Sequence, residues 1–239
     1  MGDSPPLVGL TVNWVPVSPP EDASCGRWAY RLNGSYASLI ESAGAVPVAI
    51  LPSGRTFPSG RERDLDLVVL TGGGDPDPSL YGRTPDGCVD PELERPLWEM
   101  EVCRGCMSEG IALMGICLGM QIIGIVSGSA LVQDLPRTPG GRSIHSGTAV
   151  EPLSHGVELS EGTILRSALG STRIVSSFHH QALESVPRGF VLAASAPDGV
   201  VEAVESYDPL VLGVQWHPER DSTGVPIVRA MLERAVRGR

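Results

Sequence analysis

The chain has no apolar run approaching the roughly 20 residues that a membrane-spanning helix requires. Its first residues, MGDSPPLVGLTV, carry Asp3 and two prolines where a secretion signal would have a basic start and a long apolar core. A soluble, cytoplasmic protein is the expectation. Basic residues are scarce, with 18 Lys plus Arg against 28 Asp plus Glu and a formal charge of -10. A surface of that sign repels polyanions, so nucleic acid is not an expected partner, and small molecules or proteins are. Five cysteines, an odd number, are too few in 239 residues for the dense disulfide framework of a small secreted protein. No HExxH pattern is present, and the CRGC pair, Cys103 and Cys106, has no second ligand pair at zinc-site spacing. These two thiols continue the helical spacing of Leu93, Leu97 and Met100, which marks them as packing residues near a helix end. A metallohydrolase is not expected. Internal repeats and long linkers are absent too, and 239 residues at 41% hydrophobic composition suit one domain spanning 1–239.

What the chain does have is alternation. LVGLTV (7–12) reads as a strand, and RWAYRLNGSYASLIESAG (27–44) has helical spacing ending in a glycine stop. Strands follow at 45–51, 66–74 and 111–116, and helices at 92–109 and 118–128. This order predicts an α/β fold with a doubly wound, mostly parallel sheet. From about 130 to 217 the pieces TAVEPL, TILRSAL, RIVSSF, FVLAAS, VVEAVE and LVLGVQW, separated by Gly, Pro, Ser and Asp, predict antiparallel β additions to that sheet in the C-terminal half. VPIVRAMLERAVRGR closes the chain as an amphipathic helix starting near Pro226. Residues 13–26 and 52–64, rich in Pro, Gly and Ser, are expected to be mobile loops.

Ligands of open α/β sheets bind beyond the carboxyl ends of the strands. Two glycine-rich turns fall there, TGGGDPDP (71–78) and GICLG (115–119). Cys117, between a strand end and a helix start, is a candidate nucleophile, because such a turn exposes the side chain and the helix N-terminus favours a thiolate. A buried packing thiol accounts for the same five residues. His217, in QWHPE, is a candidate base. Glu219 lies two positions on, where an extended chain brings it to the same side and lets it hold the imidazole, as the third member of a triad does. His179 and His180 follow a short strand and could line a pocket, whereas His145 is expected to be an ordinary structural histidine.

Five pieces in order, LTGGGDPDPSLYG, GICLGMQIIGIVSGSALVQDL, SSFHHQAL, APDGVVEAVE and LGVQWHPE, resemble the class I glutamine amidotransferase superfamily. The resemblance is to its stand-alone γ-glutamyl hydrolase branch, peptidase C26, which includes γ-glutamyl-γ-aminobutyrate hydrolases, and it covers about residues 7–235. It implies a flavodoxin-like sheet, Cys117 as nucleophile, His217 as general base and acid, and Glu219 as the orienting carboxylate. An oxyanion hole is implied at Leu118 and at Gly73 or Gly74. Substrate contacts are implied at Gln121, Ser177, Phe178 and His179. The activity implied is hydrolysis of a γ-glutamyl amide through a thioester, releasing glutamate and an amine, with no cofactor. A glutaminase subunit serving a separate synthetase and a non-enzymatic binding protein are the alternatives. One departure stands out, since the hydrolase branch typically has arginine after the nucleophile and this chain has Leu118. That leaves the leaving amine open, and acidic Glu21, Asp22, Asp75 and Asp77 are candidates for favouring a cationic one. A homodimer is the expected form if the chain self-associates, dimers being the commonest oligomers.

Overall fold

The computed structural model describes residues 4–16, 28–52, 57–58, 61–137, 144–148 and 150–237. The first part of the chain builds strand β1 (Leu7–Thr11), a hairpin of β2 (Asn13–Pro16) and β3 (Trp28–Arg31), helix α1 (Gly34–Ala43) and strand β4 (Val46–Ile50). Next come β5 (Leu67–Leu70), α2 (Glu94–Glu109), β6 (Leu113–Ile116), α3 (Leu118–Val126) and the two-residue strand β7 (Leu131–Val132). The C-terminal part adds β8 (Leu153–Leu159), α4 (Ile164–Leu169), β9 (Thr172–Ser177), β10 (Ala182–Leu183), β11 (Val191–Ser195), β12 (Val201–Tyr207), β13 (Leu210–Val214) and α5 (Gly224–Arg237). No helix among the described residues is long and apolar enough to cross a membrane.

Nine strands form one sheet in the order β4-β1-β5-β6-β13-β12-β11-β8-β9. Pairings from β4 to β13 are parallel, and those from β13 to β9 are antiparallel. Helices α1, α4 and α5 cover one face, and α2 and α3 the other. The α/β architecture with antiparallel additions is thus as expected, and its cause is visible in the central strands. Leu67, Val68, Val69 and Leu70 are all buried, so both faces of β5 meet core, and each such side chain contributes about 1.5–3 kcal/mol on leaving water.

Four assignments differ from the sequence reading. LVLGVQW is not simply an antiparallel addition, because β13 is the junction strand of the sheet, parallel to β6 (Val211 with Leu113 through Val214 with Ile116) and antiparallel to β12. TILRSAL is helix α4, with the Thr163 side chain accepting from Arg166 N at 3.1 Å and the Glu205 carboxylate accepting from Ile164 N and Leu165 N at 2.8 and 2.9 Å. A six-residue helix is too short to display its period, and a carboxylate 40 residues away supplies its N-terminal partners. The stretch 27–44 holds β3 before α1, since Asn33 caps the helix by accepting from Ser35 N and its αL stop is Gly44 at φ 92°. Of TAVEPL (148–153), Leu153 opens β8, and the other described residues, 148 and 150–152, are not strand. Of the expected mobile loops, 17–26, 53–56 and 59–60 lie outside the described residues, whereas Asn13–Pro16 is strand and Arg61–Asp64 a single 3-10 turn.

Candidate active site

Three neighbouring parallel strands end at one place, and each delivers one part of the site. After β5 comes the turn Thr71–Gly74; after β6 comes Cys117; after β13 come Gln215, His217 and Glu219. Cys117 sits at φ 53°, one of two non-glycine residues with positive φ among those described, as a sharp strand-to-helix turn demands. Such a conformation costs on the order of 1–3 kcal/mol and persists because the surroundings impose it. Here Cys117 N donates to Val214 O at 2.8 Å, and Gln121 N donates back to Cys117 O at 3.1 Å. Gly119 tolerates no side chain, because a Cβ there would lie 2.3 Å from the Leu70 carbonyl oxygen.

His217 Nδ1 lies 2.8 Å from Glu219 Oε1, both groups being almost fully buried. The carboxylate can only accept, so Nδ1 carries a proton, and Nε2 has no hydrogen-bond partner among the described residues. His217 and Cys117 meet at Gly72, where an added Cβ would lie 3.0 Å from His217 Cε1 and 3.7 Å from Cys117 Cβ. Phe178 stacks on the imidazole at 3.5 Å between centroids and 14° between planes, which fixes the ring.

Burial, followed by the nearby Glu219 charge, pushes the Cys117 thiol up to about 12, outweighing the Leu118 backbone N–H that pulls the other way. The expected helix-stabilised thiolate is therefore not the resting state, because desolvation wins. Since the shift is upward, the thiol stays protonated at neutral pH. Site-resolved alkylation of Cys117 by iodoacetamide is accordingly expected to rise with each pH unit from 7 to beyond 10 without levelling off, as followed by mass spectrometry. A plateau near neutrality would mean a preformed thiolate–imidazolium pair.

The sequence-predicted residues separate into two sets. Gly73 belongs with the nucleophile, because a Cβ there would meet Leu118 Cδ2 at 2.6 Å, whereas Gly74 faces Glu92. Gln121 is buried beneath the site, its Nε2 3.4 Å from Gln181 O and from Gln215 Oε1. Ser177 is fully buried and donates to His145 O at 3.0 Å, and His179 is turned inward, its Nδ1 3.0 Å from Gln181 O. Phe178 alone of these four is partly exposed. Asp75 and Asp77 have structural work: Asp75 accepts from Val89 N at 2.7 Å and pairs with His180 Nε2 at 3.0 Å, and Asp77 accepts from Ser79 N at 2.8 Å. Glu21 and Asp22 lie outside the described residues. Cys103 and Cys106 are buried in α2 as free thiols.

Sequence reasoning missed three contributors. Gln215 places Nε2 3.6 Å from Cys117 Sγ, and Tyr36 OH accepts from Gly72 N at 2.9 Å. Arg95, 1% exposed, donates from Nη2 to Thr71 O, Thr71 Oγ1 and Gly72 O, each at 3.0 Å, and pairs with Glu99, itself bonded by Thr11 Oγ1 at 2.6 Å. The only sequence signal was an i,i+4 Arg/Glu pair, which ordinarily marks a solvated helix face.

The peptidase C26 family model matches residues 6–219. A Mycobacterium tuberculosis protein provisionally named a glutamine amidotransferase is 35% identical, over 98% of this chain and 76% of its own. The γ-glutamyl-γ-aminobutyrate hydrolase PuuD of Escherichia coli is 32% identical over 87% of this chain and 86% of its own. Among solved structures, a glutamine amidotransferase from Thermotoga maritima aligns with a TM-score of 0.63 at 16% identity, covering 98% of this chain and 99% of that one, which speaks for the fold. The chain belongs to the peptidase C26 branch of the class I glutamine amidotransferase superfamily.

Proposed function

We propose that this protein is a cysteine-dependent hydrolase that cleaves the γ-glutamyl amide bond of a small γ-glutamyl-amine conjugate. The observation that carries the proposal is the convergence of a positive-φ cysteine with a carboxylate-held histidine at one glycine turn. His217 Nε2 takes the Cys117 proton as sulfur attacks the γ-carbonyl, so the thiolate forms only as it reacts. The oxyanion accepts from the backbone N–H of Leu118 and, with Gly72 N committed to Tyr36, from that of Gly73. The imidazolium then gives its proton to the departing amine, leaving a γ-glutamyl thioester. Water attacks that ester with His217 as base, releasing glutamate and the free thiol.

In this scheme Glu219 orients and His217 moves protons. Glu219→Gln is therefore expected to lose about one to two orders of magnitude less in kcat than His217→Ala, by steady-state kinetics; equal losses would contradict the division.

Leu118 bears on the competing reading, a glutaminase subunit that hands ammonia to a separate synthetase, which the name of the M. tuberculosis relative also favours. Its side chain is 1% exposed and packs where Gly73 and the Arg95 guanidinium meet. A substituent so placed faces the glycine turn, and Arg95 brings a positive charge to that position from α2. The purified chain, given glutamine beside a panel of γ-glutamyl amines, should release amines from the conjugates faster than ammonia from glutamine. Turnover of glutamine alone would replace the hydrolase reading with the subunit reading, and no turnover of either would favour a binding protein on this fold.

A further inference from the structure

Behind the catalytic strands lies a second constellation that the hydrolytic chemistry does not use. His145 precedes β8, His155 is on β8, His179 follows β9 and Glu202 is on β12. All four are buried, and their inward ligand atoms lie within 4.8 Å of one another. Glu202 Oε1 is 3.1 Å from His145 Nδ1, 3.5 Å from His155 Nε2 and 3.5 Å from His179 Nε2. None of these inner nitrogens, and neither oxygen of Glu202, has a hydrogen-bond partner of good geometry among the described residues.

The outward nitrogens explain why. His145 Nε2 lies 3.0 Å from Asp198 Oδ2, His155 Nδ1 3.1 Å from Gly156 O, and His179 Nδ1 3.0 Å from Gln181 O. A carboxylate and two peptide carbonyls can only accept, so each outward nitrogen must carry its ring's proton. In the neutral imidazoles the three inward nitrogens are then bare lone pairs, and they face a carboxylate that is also acceptor-only. Four acceptors point at one small volume with no donor among them. Protonating one ring supplies a donor toward Glu202 but leaves the other lone pairs facing each other. A single divalent cation satisfies all four at once, and an outward N–H held by a carboxylate or carbonyl is the arrangement that surrounds metal-bound histidines.

We propose that His145, His155, His179 and Glu202 form a closed binding site for one divalent transition-metal ion of the zinc type. Metal–ligand distances of about 2.0–2.1 Å in a tetrahedron require ligand atoms about 3.3 Å apart, which the three separations from Glu202 bracket. Three imidazoles and a carboxylate suit Zn²⁺ or Co²⁺ over Mg²⁺ or Ca²⁺, which take all-oxygen shells. With four protein ligands the site is closed, so the ion acts structurally and activates no water. It would join β8, β9 and β12 at a point next to the catalytic parts. His179 directly follows Phe178, the residue stacked on His217, and Glu202 O accepts from the N–H of Gln215, whose side chain reaches Cys117.

The test uses the full chain carrying Cys117→Ser, so that the nucleophile cannot bind the added metal. Chelator-treated protein is titrated with CoCl2 and ZnCl2 and read by visible absorption, bound-metal stoichiometry and thermal unfolding. Expected are one ion per chain, the intense absorption bands of tetrahedral Co²⁺ that ZnCl2 then abolishes, and a Tm rise of about 10 °C at metal about 1,000-fold above Kd. His155→Gln, which removes one inward nitrogen, should take away the cobalt spectrum while circular dichroism remains that of the parent. If that variant does not fold, cobalt binding by the parent chain decides. Substoichiometric metal, an octahedral spectrum or an unchanged Tm would each overturn the proposal and leave the cluster a protonated histidine–carboxylate network.

Discussion

Cys117→Ser is expected to abolish turnover, by on the order of 10⁴-fold or more in kcat, while the folded state loses no more than about 1.5 kcal/mol. The two effects separate because they have different causes. Turnover needs a nucleophile that can be deprotonated by a neutral imidazole, and a site that already holds the thiol near 12 by burial holds a hydroxyl far further out of reach. Stability needs only that the side chain fill its space and find a partner. Serine is slightly smaller than cysteine, and Gln215 Nε2, 3.6 Å from the sulfur, can serve as donor to its oxygen. In a chain of 239 residues that cost corresponds to a Tm change of a few degrees. A variant that unfolds outright would make Cys117 a packing residue whose position at a strand end is incidental. A variant that keeps turnover would remove the nucleophile from the scheme altogether.

The elements that the sequence revealed are those whose environment is uniform along their length. The apolar runs at 67–70 and 113–116 could only be central strands, and a glycine at φ 92° after α1 and one at φ 69° after α2 mark helix ends that any turn-based reading finds. The placement of Cys117, His217 and Glu219 near one end of the sheet was legible because Cys117 directly follows β6 and the other two lie within five residues of the end of β13. The assignments that failed depended on partners far away in the chain. LVLGVQW has the same composition in either direction of pairing, and only β6 decides that it runs parallel. The helix at 164–169 is made by a carboxylate at Glu205. His179 looked like a pocket residue because its neighbour Phe178 does border the site, yet alternation along extended chain turns it to the opposite side from Phe178. The four-residue cluster around Glu202 has members at 145, 155, 179 and 202, which no fixed spacing could announce.

Arg95→Leu is the second substitution with a large expected effect, and it acts on both stability and catalysis. The guanidinium and the Glu99 carboxylate are 1% and 0% exposed, so removing the cation leaves a buried charge held by the Thr11 hydroxyl. Breaking such a pair from one side costs about 3–5 kcal/mol, enough to lower the Tm of a chain this long by roughly 10 °C. Burial already raises the Glu99 carboxyl above its ordinary range, with Arg95 the first of the groups that pull it down. Without Arg95 the carboxyl is expected to take up a proton on folding, which limits the loss at low pH and lets it grow as pH rises. The double variant Arg95→Leu with Glu99→Met removes the stranded charge, so its Tm should recover most of the difference. Its activity should not. Arg95 donates three hydrogen bonds to Thr71 and Gly72, and Gly72 is the point at which Cys117 and His217 meet. A turn released from that clamp leaves Gly73 N–H, the proposed oxyanion donor, free to move, and displacements of about 1 Å at a reacting centre cost on the order of 10²-fold in rate. The measurement is therefore a comparison of Tm and kcat across the single and double variants: recovery of stability without recovery of kcat identifies Arg95 as the residue that positions the glycine turn, and parallel recovery of both would reduce it to a structural ion pair.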